Sequence, residues 1–308
     1  MASIDPPNNA PIRVTFLSTG TVRIRPSMRS QPLTNTHVLT RRLRSLCDRT
    51  WTAPLPIAVF LITHPDGPIL FDTGESPHHN DRGFLPFYSP SSLLSTITIA
   101  PEDAILAQLR ARGIDPASLQ AIVLSHLHGD HAGGLADLLA AAPDVPVYVS
   151  KTHWESVTSL SSFRATMAGF GPQHWPANFR PRFLSQTDPA VGPWPVSSHI
   201  TPDGKVVAVD TPGHVPGHVS LVVFGDGPPG GQAGEETTTY LLAGDATYGV
   251  DLLEREETDG VNEDPVGAVE SLRLIKAFAR EREVVVLPSH DAGVEGLLEG
   301  RVVYRPRD

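Results

Sequence analysis

Four side chains of the kinds that bind metal ions stand within six residues of this chain, at His126, His128, Asp130 and His131. They follow a short apolar run that predicts a buried strand. Side chains alternate along an extended chain, so the first two histidines point the same way. Gly129 permits a sharp turn, after which Asp130 and His131 swing back from the start of a helix. Because imidazole and carboxylate are zinc ligands, the pattern predicts a metal site, although Asp130 alone would equally suit a helix N-cap.

Three later segments each end on further candidate donors. Predicted strands at 206–209, 238–243 and 284–287 are followed by His214, Asp245 and His290. Loops at strand ends gather functional groups onto a rigid scaffold, so we expect these side chains to join the motif. Five histidines and two aspartates would be enough to hold two metal ions that share one carboxylate.

Apolar periodicity alternates short strands with helices along most of the chain. The predicted strands are 12–17, 57–62, 69–71, 121–124, 145–149, 206–209, 218–224, 238–243 and 284–287. The predicted helices are 102–112, 135–142, one that Thr152 caps near His153, and 264–280. Segments 84–98 and 154–202 show little period, and the Gly/Pro-rich tract 225–234 predicts a hairpin loop. The pattern indicates an α/β fold, an αββα sandwich in which helices cover two sheets, with residues 1–308 as one domain.

The composition of the chain limits which binding partners and which cellular compartment we expect. The 308 residues carry 34 acidic and 24 basic side chains, a net charge of −10, which argues against a nucleic-acid partner. The basic stretch at Arg41, Arg42 and Arg44 is interpreted as a solvated face. No apolar run approaches the ~18 residues of a membrane span, and we see no signal peptide at the polar N-terminus. With one cysteine, Cys47, read as a passive thiol, a cytoplasmic location is expected.

The spacing of the candidate donors resembles that of a known family. The order HxHxDH at 126–131, TPGHxPGH at 211–218, GDxxY at 244–248 and SHD at 289–291 resembles the metallo-β-lactamase superfamily. Within it, the pattern is most similar to N-acyl-homoserine lactonases. The resemblance runs from about residue 57 to residue 291 and implies the metallo-β-lactamase form of the sandwich.

The resemblance also implies a role for each donor. The first metal would be held by His126, His128 and His214, and the second by Asp130, His131 and His290, with Asp245 bridging both. His218 would support a ligand or pack in its strand. Asp72 would steady the motif loop, or else be a turn carboxylate after a strand. Tyr248 would face the substrate carbonyl, or else be a packing tyrosine.

The implied activity is hydrolysis with two zinc ions, iron or manganese being possible replacements. A hydroxide between the metals would open a small cyclic ester, a lactone of the acyl-homoserine type. Tyr248 would stabilise the oxyanion, and Asp130 or Asp245 would return a proton to the leaving group. A lactam or cyclic carbamate is the alternative ring, and a thioesterase or glyoxalase-II-like hydrolase the alternative enzyme. Iron-dependent redox chemistry and a non-catalytic metal-binding role are the remaining readings.

Two features depart from the lactonase pattern. Gly129 stands where lactonases often carry a larger residue, so a reshaped pocket floor is expected. Segments 84–98 and 154–202 do not match either, and the second is expected to form a wall or lid of the substrate pocket, or surface loops pinned by aromatic anchors. Ser125 and Ser289 adjoin ligands, but no GxSxG elbow supports a serine nucleophile.

The histidines outside the motifs are interpreted as surface or loop residues. They are His37, His64, His78, His79, His153, His174 and His199. His78 and His79 follow the Asp72 loop and so would be the pair to border the pocket.

Overall fold

Twelve strands in two sheets form the centre of the part of the chain that the computed structural model describes, residues 11–34, 37–226 and 237–307. The predictions for the polar N-terminus and for most of the 225–234 loop therefore lie outside the described residues.

The larger sheet has seven strands in the order β4-β1-β2-β3-β5-β6-β7. Their bounds are β1 Arg13–Ile24, β2 Leu55–Thr63, β3 Ile69–Phe71, β4 Ser95–Thr98, β5 Ala121–Val123, β6 Val147–Val149 and β7 Arg182–Phe183. The strands predicted at 57–62 and 69–71 are confirmed as parts of β2 and β3, and the two strands pair antiparallel as a hairpin. From β3 onward the pairing is parallel, so the carboxyl ends of β3 and β5 lie together.

The smaller sheet has five strands in the order β12-β11-β10-β9-β8. Their bounds are β8 Ser198–His199, β9 Val206–Asp210, β10 Val219–Gly225, β11 Thr238–Gly244 and β12 Val284–Pro288. β10 pairs antiparallel with both neighbours, whereas β11 and β12 run parallel. Two strand ends with candidate donors, at the close of β11 and β12, are thus side by side.

Helices cover the outer faces of the sheets. They are α1 Pro26–Arg29, α2 Val38–Cys47, α3 Ser91–Leu94, α4 Ile105–Ala111, α5 Gly129–Ala132, α6 Leu135–Ala141, α7 Lys151–Thr158, α8 Ser162–Met167, α9 Val250–Arg255, α10 Pro265–Glu281 and α11 Val294–Glu299. Short 3-10 turns lie at Pro101–Asp103, Pro116–Ser118 and Pro172–His174. None of the described helices is long and apolar enough to cross a bilayer. The cytoplasmic location stays a prediction.

The buried side chains form three layers, as a two-sheet sandwich requires. Along β2, Phe60 and Ile62 point between the sheets, and Val59 and Leu61 point outward under α4 and α6. This alternation follows from the two-residue period of a strand. On the opposite side, Phe278 and other apolar residues of α10 cover the outer face of the smaller sheet. The αββα sandwich predicted from the sequence is confirmed.

Three local predictions were wrong. The end of segment 84–98 is not irregular, because β4 pairs antiparallel with β1. Helix α7 begins at Lys151, and its cap is Ser150, whose hydroxyl accepts a hydrogen bond from the amide of His153. Arg41 does not belong to a solvated face, since it is 1% exposed and donates to the carbonyl oxygens of Gln31 and Asp259.

The residue that caps the start of helix α10 allows a test of what stabilises this helix. The Asp264 side chain accepts hydrogen bonds from the amides of Val266 and Gly267, which would otherwise lack partners at the start of the helix. We expect Asp264→Ala to lower the free energy of unfolding by about 1 kcal/mol, measured in urea with an unchanged slope. Asp264→Asn keeps a side-chain acceptor and should stay close to the unaltered protein. Equal losses in both variants would contradict the capping role.

Candidate metal centre

The motif residues lie where β5 ends and helix α5 begins. β5 stops at Val123, and α5 starts at Gly129, so Asp130 and His131 stand on its first turn as predicted. The amide of Val219 donates to the carbonyl oxygen of Ser125 and ties this loop to the smaller sheet. The metal-ligand candidates therefore sit at the seam between the two sheets.

Three histidines converge on one side of this seam. The Nδ1 atom of His128 lies 2.9 Å from Nε2 of His126 and 3.1 Å from Nε2 of His214. His214 reaches this position because Gly213 turns the chain at a φ of 137°, where a Cβ atom would lie 2.3 Å from the backbone of Ala268. The ring nitrogens are close enough to serve one ion.

Asp130, His131 and His290 form a second cluster beside the first. Nε2 of His290 lies 3.5 Å from a carboxylate oxygen of Asp130, and Nε2 of His131 lies 3.9 Å from the other oxygen. Candidate ligands that lie up to 160 residues apart in the sequence thus meet in one cluster. Their positions after predicted strands led us to expect this.

Asp245 stands between the two clusters and faces both. Its Oδ2 lies 3.5 Å from Nε2 of His214 and 4.0 Å from Nε2 of His126. Its Oδ1 lies 3.2 Å from Nε2 of His131 and 3.4 Å from Nε2 of His290. Each carboxylate oxygen therefore belongs to a different cluster, which is the arrangement that a bridging ligand needs.

The ring nitrogens that point away from the clusters meet hydrogen-bond acceptors. His131 Nδ1 contacts Asp72 at 2.8 Å, and His214 Nδ1 contacts Asp259 at 3.1 Å. Backbone oxygens of Pro56 and Ala168 accept in the same way from His290 Nδ1 and His128 Nε2, at 2.8 and 3.0 Å. A proton on the far nitrogen leaves the near nitrogen with a lone pair directed at the cluster.

Burial and charge in the clusters suit a cation. Burial, followed by the neighbouring rings of His131 and then His128, lowers the pKa of His126 well below its usual 6.5, which keeps it neutral. Burial opposes a proton on His290, but the carboxylates of Asp245 and Asp130 outweigh it and raise the pKa of that ring to about 10. Nε2 of His131 and Oδ1 of Asp245 are buried and, although they lie 3.2 Å apart, neither makes a well-oriented hydrogen bond with any of the described residues. Buried donor atoms of this kind, in a field that favours positive charge, fit divalent metal ions.

A cavity of about 430 Å³ opens above the clusters. Its floor includes His128, Asp130, Asp245 and His290, and Tyr248 lies in its wall. The Tyr248 ring is 5% exposed and its centroid is 5.1 Å from that of His290. Burial and the nearby carboxylates, Asp245 foremost, raise the pKa of this phenol well above 10, so its hydroxyl keeps a proton to donate.

The donor set and the sandwich match a known family. Residues 52–290 fit the family model described as the Metallo-beta-lactamase superfamily. The chain belongs to the metallo-beta-lactamase superfamily. The resemblance read from the sequence motifs is thereby confirmed, and the protein is a hydrolase of this superfamily.

Similar proteins include lactonases. The N-acyl homoserine lactonase AttM of Rhizobium radiobacter is 26% identical over 244 residues, which cover 77% of this chain and 82% of AttM. The N-acyl homoserine lactonase AiiA of Bacillus thuringiensis subsp. kurstaki is 29% identical over 239 residues, with the same coverage. A solved N-acyl homoserine lactone hydrolase, with N-hexanoyl-L-homoserine bound at its catalytic metal centre, superposes with a TM-score of 0.69 at 23% identity and covers 93% of this chain and 96% of its own. This last likeness shows the shared fold.

Two histidines of this metallo-beta-lactamase superfamily chain accept hydrogen bonds from the backbone beside the clusters, and sequence analysis assigned a supporting role to His218 alone. His153 is not a surface residue, because it is fully buried and its Nε2 accepts from the amide of Leu127, within the motif. His218 accepts from the amide of Asp245, at 3.0 Å, which agrees with a supporting role. His64 follows β2 in a loop and His174 ends a short 3-10 turn, and both are buried. Of the His78–His79 pair, His79 lines the cavity.

Some strand-end carboxylates do not join the clusters. Asp291 accepts from the amides of Val250 and Gly293 and thereby holds the starts of two helices. Asp210 accepts from the side-chain amide of Gln186. Asp259, which contacts His214, was missed because it lies in an irregular segment without a motif. The turn-forming dipeptide Asp259-Gly260 is the one local sequence feature that marks this position.

Asp72 connects the larger sheet to the motif. It follows β3 with a φ of 65°, and its carboxylate accepts from the amide and the hydroxyl of Ser125 as well as facing His131. The Ser125 hydroxyl in turn lies 3.0 Å from Nδ1 of His126, so one carboxylate orients two rings of the clusters.

Replacing this carboxylate should weaken metal binding while sparing the fold. Asp72→Asn keeps the size and tolerates the positive φ, but either orientation of the amide sets an N–H group against another donor. We expect the apparent zinc affinity to fall about 10- to 100-fold in competition with a chromogenic chelator. The exposed residue Asp144 provides the control Asp144→Asn, whose affinity should not change. An unchanged affinity in Asp72→Asn would refute the orienting role.

Proposed function

We propose that this protein opens a small cyclic ester, a lactone of the acyl-homoserine type, with the help of two zinc ions. The single observation that carries the proposal is the position of Asp245, which presents one oxygen to each of two donor clusters below a cavity. Iron and manganese accept the same donors, and elemental analysis of the purified protein identifies the metal that is bound.

Seven residues would hold the two ions. The first site would use His126, His128, His214 and one oxygen of Asp245, and the second Asp130, His131, His290 and the other oxygen. When bound, such a metal pair supplies a nucleophile from water at neutral pH and polarises the carbonyl group of the substrate.

Tyr248 would stabilise the charge that develops on the carbonyl oxygen. Its hydroxyl is buried beside the second cluster and, as a protonated phenol, can donate a hydrogen bond to that oxygen. A buried donor that is already in position stabilises an oxyanion without first reorganising. The fixed ring also orients the ester above the clusters.

Asp130 would complete proton transfer. Its side chain is 23% exposed, whereas those of His126, His131, His214, Asp245 and His290 are at most 2% exposed, and it lines the cavity floor. Addition of water across the ester places a hydroxyl on the acyl carbon and leaves an alkoxide that needs the remaining proton. A carboxyl group at this position would carry that proton from the water to the alkoxide. Asp245 is less suited because its side chain is only 2% exposed.

The cavity supports a substrate with an apolar part. Its wall away from the clusters carries Val22, Ile24, Leu85, Leu94 and Met167, which suit a hydrocarbon chain. Met167 comes from segment 154–202, so this segment contributes to the wall and, we propose, to substrate choice. The lactonase names of AttM and AiiA favour a lactone over the other rings.

A panel of substrates tests the proposal. We expect the zinc-loaded protein to hydrolyse N-acyl-homoserine lactones faster than the matched lactams, cyclic carbamates and acyl thioesters, measured as kcat/KM. Asp245→Asn should abolish turnover and lower the bound zinc, because it removes the charge shared by both clusters. Asp210→Asn is the matched strand-end control and should change neither quantity. If lactams or thioesters are cleaved faster, the proposed lactone substrate is wrong and the faster class is the substrate instead.

A second variant isolates the proposed oxyanion donor. Tyr248→Phe should retain the full metal content and lower kcat on the lactone by a factor on the order of 100. KM should change less, because the lost hydrogen bond forms mainly in the transition state. Tyr304→Phe removes a hydroxyl that bonds to Glu254, at 2.7 Å, and serves as the control. If kcat of Tyr248→Phe is unchanged, the tyrosine is a packing residue.

A further inference from the structure

Three polar side chains in the cavity wall take no part in the metal clusters. They are Glu75, His79 and His174, and all three border the cavity. Glu75 and His79 follow β3, whereas His174 ends the 3-10 turn Pro172–His174 of segment 154–202. Two distant parts of the chain therefore bring polar groups to one region of an otherwise largely apolar wall.

Gly129 is the point at which this group meets the metal clusters. A Cβ atom on Gly129 would lie 3.0 Å from Cε1 of His174, 3.3 Å from its Nε2 and 3.5 Å from Oε2 of Glu75. The imidazole thus occupies the space that a larger residue at 129 would fill. Because Gly129 separates His128 from Asp130, the His174 ring lies next to the cavity floor.

His174 is the member of the group without a partner. It is 3% exposed, and neither of its ring nitrogens has a hydrogen-bond partner among the described residues. Buried polar atoms in native proteins are nearly always hydrogen-bonded, so an exception beside a cavity points to a ligand. A neutral imidazole offers one donor and one acceptor.

Glu75 and His79 are already paired with each other. Oε2 of Glu75 lies 3.1 Å from Nδ1 of His79, and Oε1 accepts from the amide of Ser76. These contacts hold the carboxylate in place and compensate its charge. The group therefore suits a neutral polar ligand at His174 better than a free cation at Glu75.

We propose that Glu75, His79 and His174 form a polar subsite that binds a neutral hydrogen-bonding substituent, a secondary amide, carried next to the carbonyl carbon that is attacked. The assignment deepens the proposed function, because it assumes that this carbonyl lies above the metal clusters. An amide offers an N–H donor and a carbonyl acceptor, and either group can pair with one ring nitrogen of His174. His174 is the binding residue, and the Glu75–His79 pair fixes the polar wall beside it. A hydrocarbon chain beyond the amide would continue along the apolar wall.

Two ketones that contain no ester bond test the subsite by binding alone. N-(2-oxocyclopentyl)acetamide carries the amide, and 2-isobutylcyclopentanone has the same shape without it. We expect the zinc-loaded protein to bind the amide about tenfold more tightly by calorimetry, the size of effect that a buried hydrogen-bond partner gives. His174→Phe keeps a planar ring without nitrogens and should reduce this ratio to about one. His174→Gln restores a donor and an acceptor and should recover part of it.

The exposed histidine of β8 supplies the matched control. His199→Phe makes the same exchange at a position that does not line the cavity, so the tenfold ratio should persist. Equal affinities for the two ketones in the unaltered protein would overturn the inference without any variant. A ratio that survives in His174→Phe would overturn it as well. Since neither ketone can be hydrolysed as an ester, a preference for the amide without turnover of lactones would contradict the proposed function and leave the subsite standing.

Discussion

The carboxylate of Asp245 is the contact on which the arrangement of the site depends. It is 3% exposed and lies within 4.0 Å of four imidazole rings, two on each oxygen. A buried charge of this kind is stable when opposite charge surrounds it. The loops that bring the four rings arrive from both sheets, so this carboxylate can be satisfied when the sandwich is closed. Backbone hydrogen bonds from Val219 to Ser125 and from Ala58 to Ser289 close the sheets at the same seam.

The supporting contacts explain how flexible loops hold rings in fixed positions. Four of the five histidines of the clusters direct the far nitrogen to a residue of another segment, such as Asp72 after β3 or Asp259 after α9, whereas that of His126 meets the adjacent Ser125. His153 and His218 act one step further back, because they accept from the backbone amides of Leu127 and Asp245. Movement of one ring would therefore break contacts in both sheets, which favours a preorganised site.

The sequence was most informative where the signal is local. The HxHxDH segment and the strands before His214, Asp245 and His290 could be read from spacing and apolar runs alone. Sequence analysis failed for contacts that tertiary structure decides. Strand β4 pairs with β1 although its residues lack a clear apolar alternation, and Asp259 faces His214 across 45 residues. No local pattern reports either contact, and the burial of Arg41 depends likewise on the distant residues around Asp259.

The floor and the wall of the cavity are held by different kinds of contact. The floor carries the proposed catalytic groups, and the wall carries the residues that would recognise the rest of the substrate. The floor is a network of hydrogen bonds and charges in which each donor is oriented by another residue. His174 in the wall touches that floor across Gly129 by packing alone, since its ring nitrogens have no partner among the described residues. A packing contact limits the space that a side chain can occupy but does not fix its orientation. Residues of the wall can therefore differ in polarity without disturbing the metal ligands. The glycine at 129 allows this close approach, because a Cβ atom there would lie 3.0 Å from Cε1 of His174 and the imidazole would have to shift.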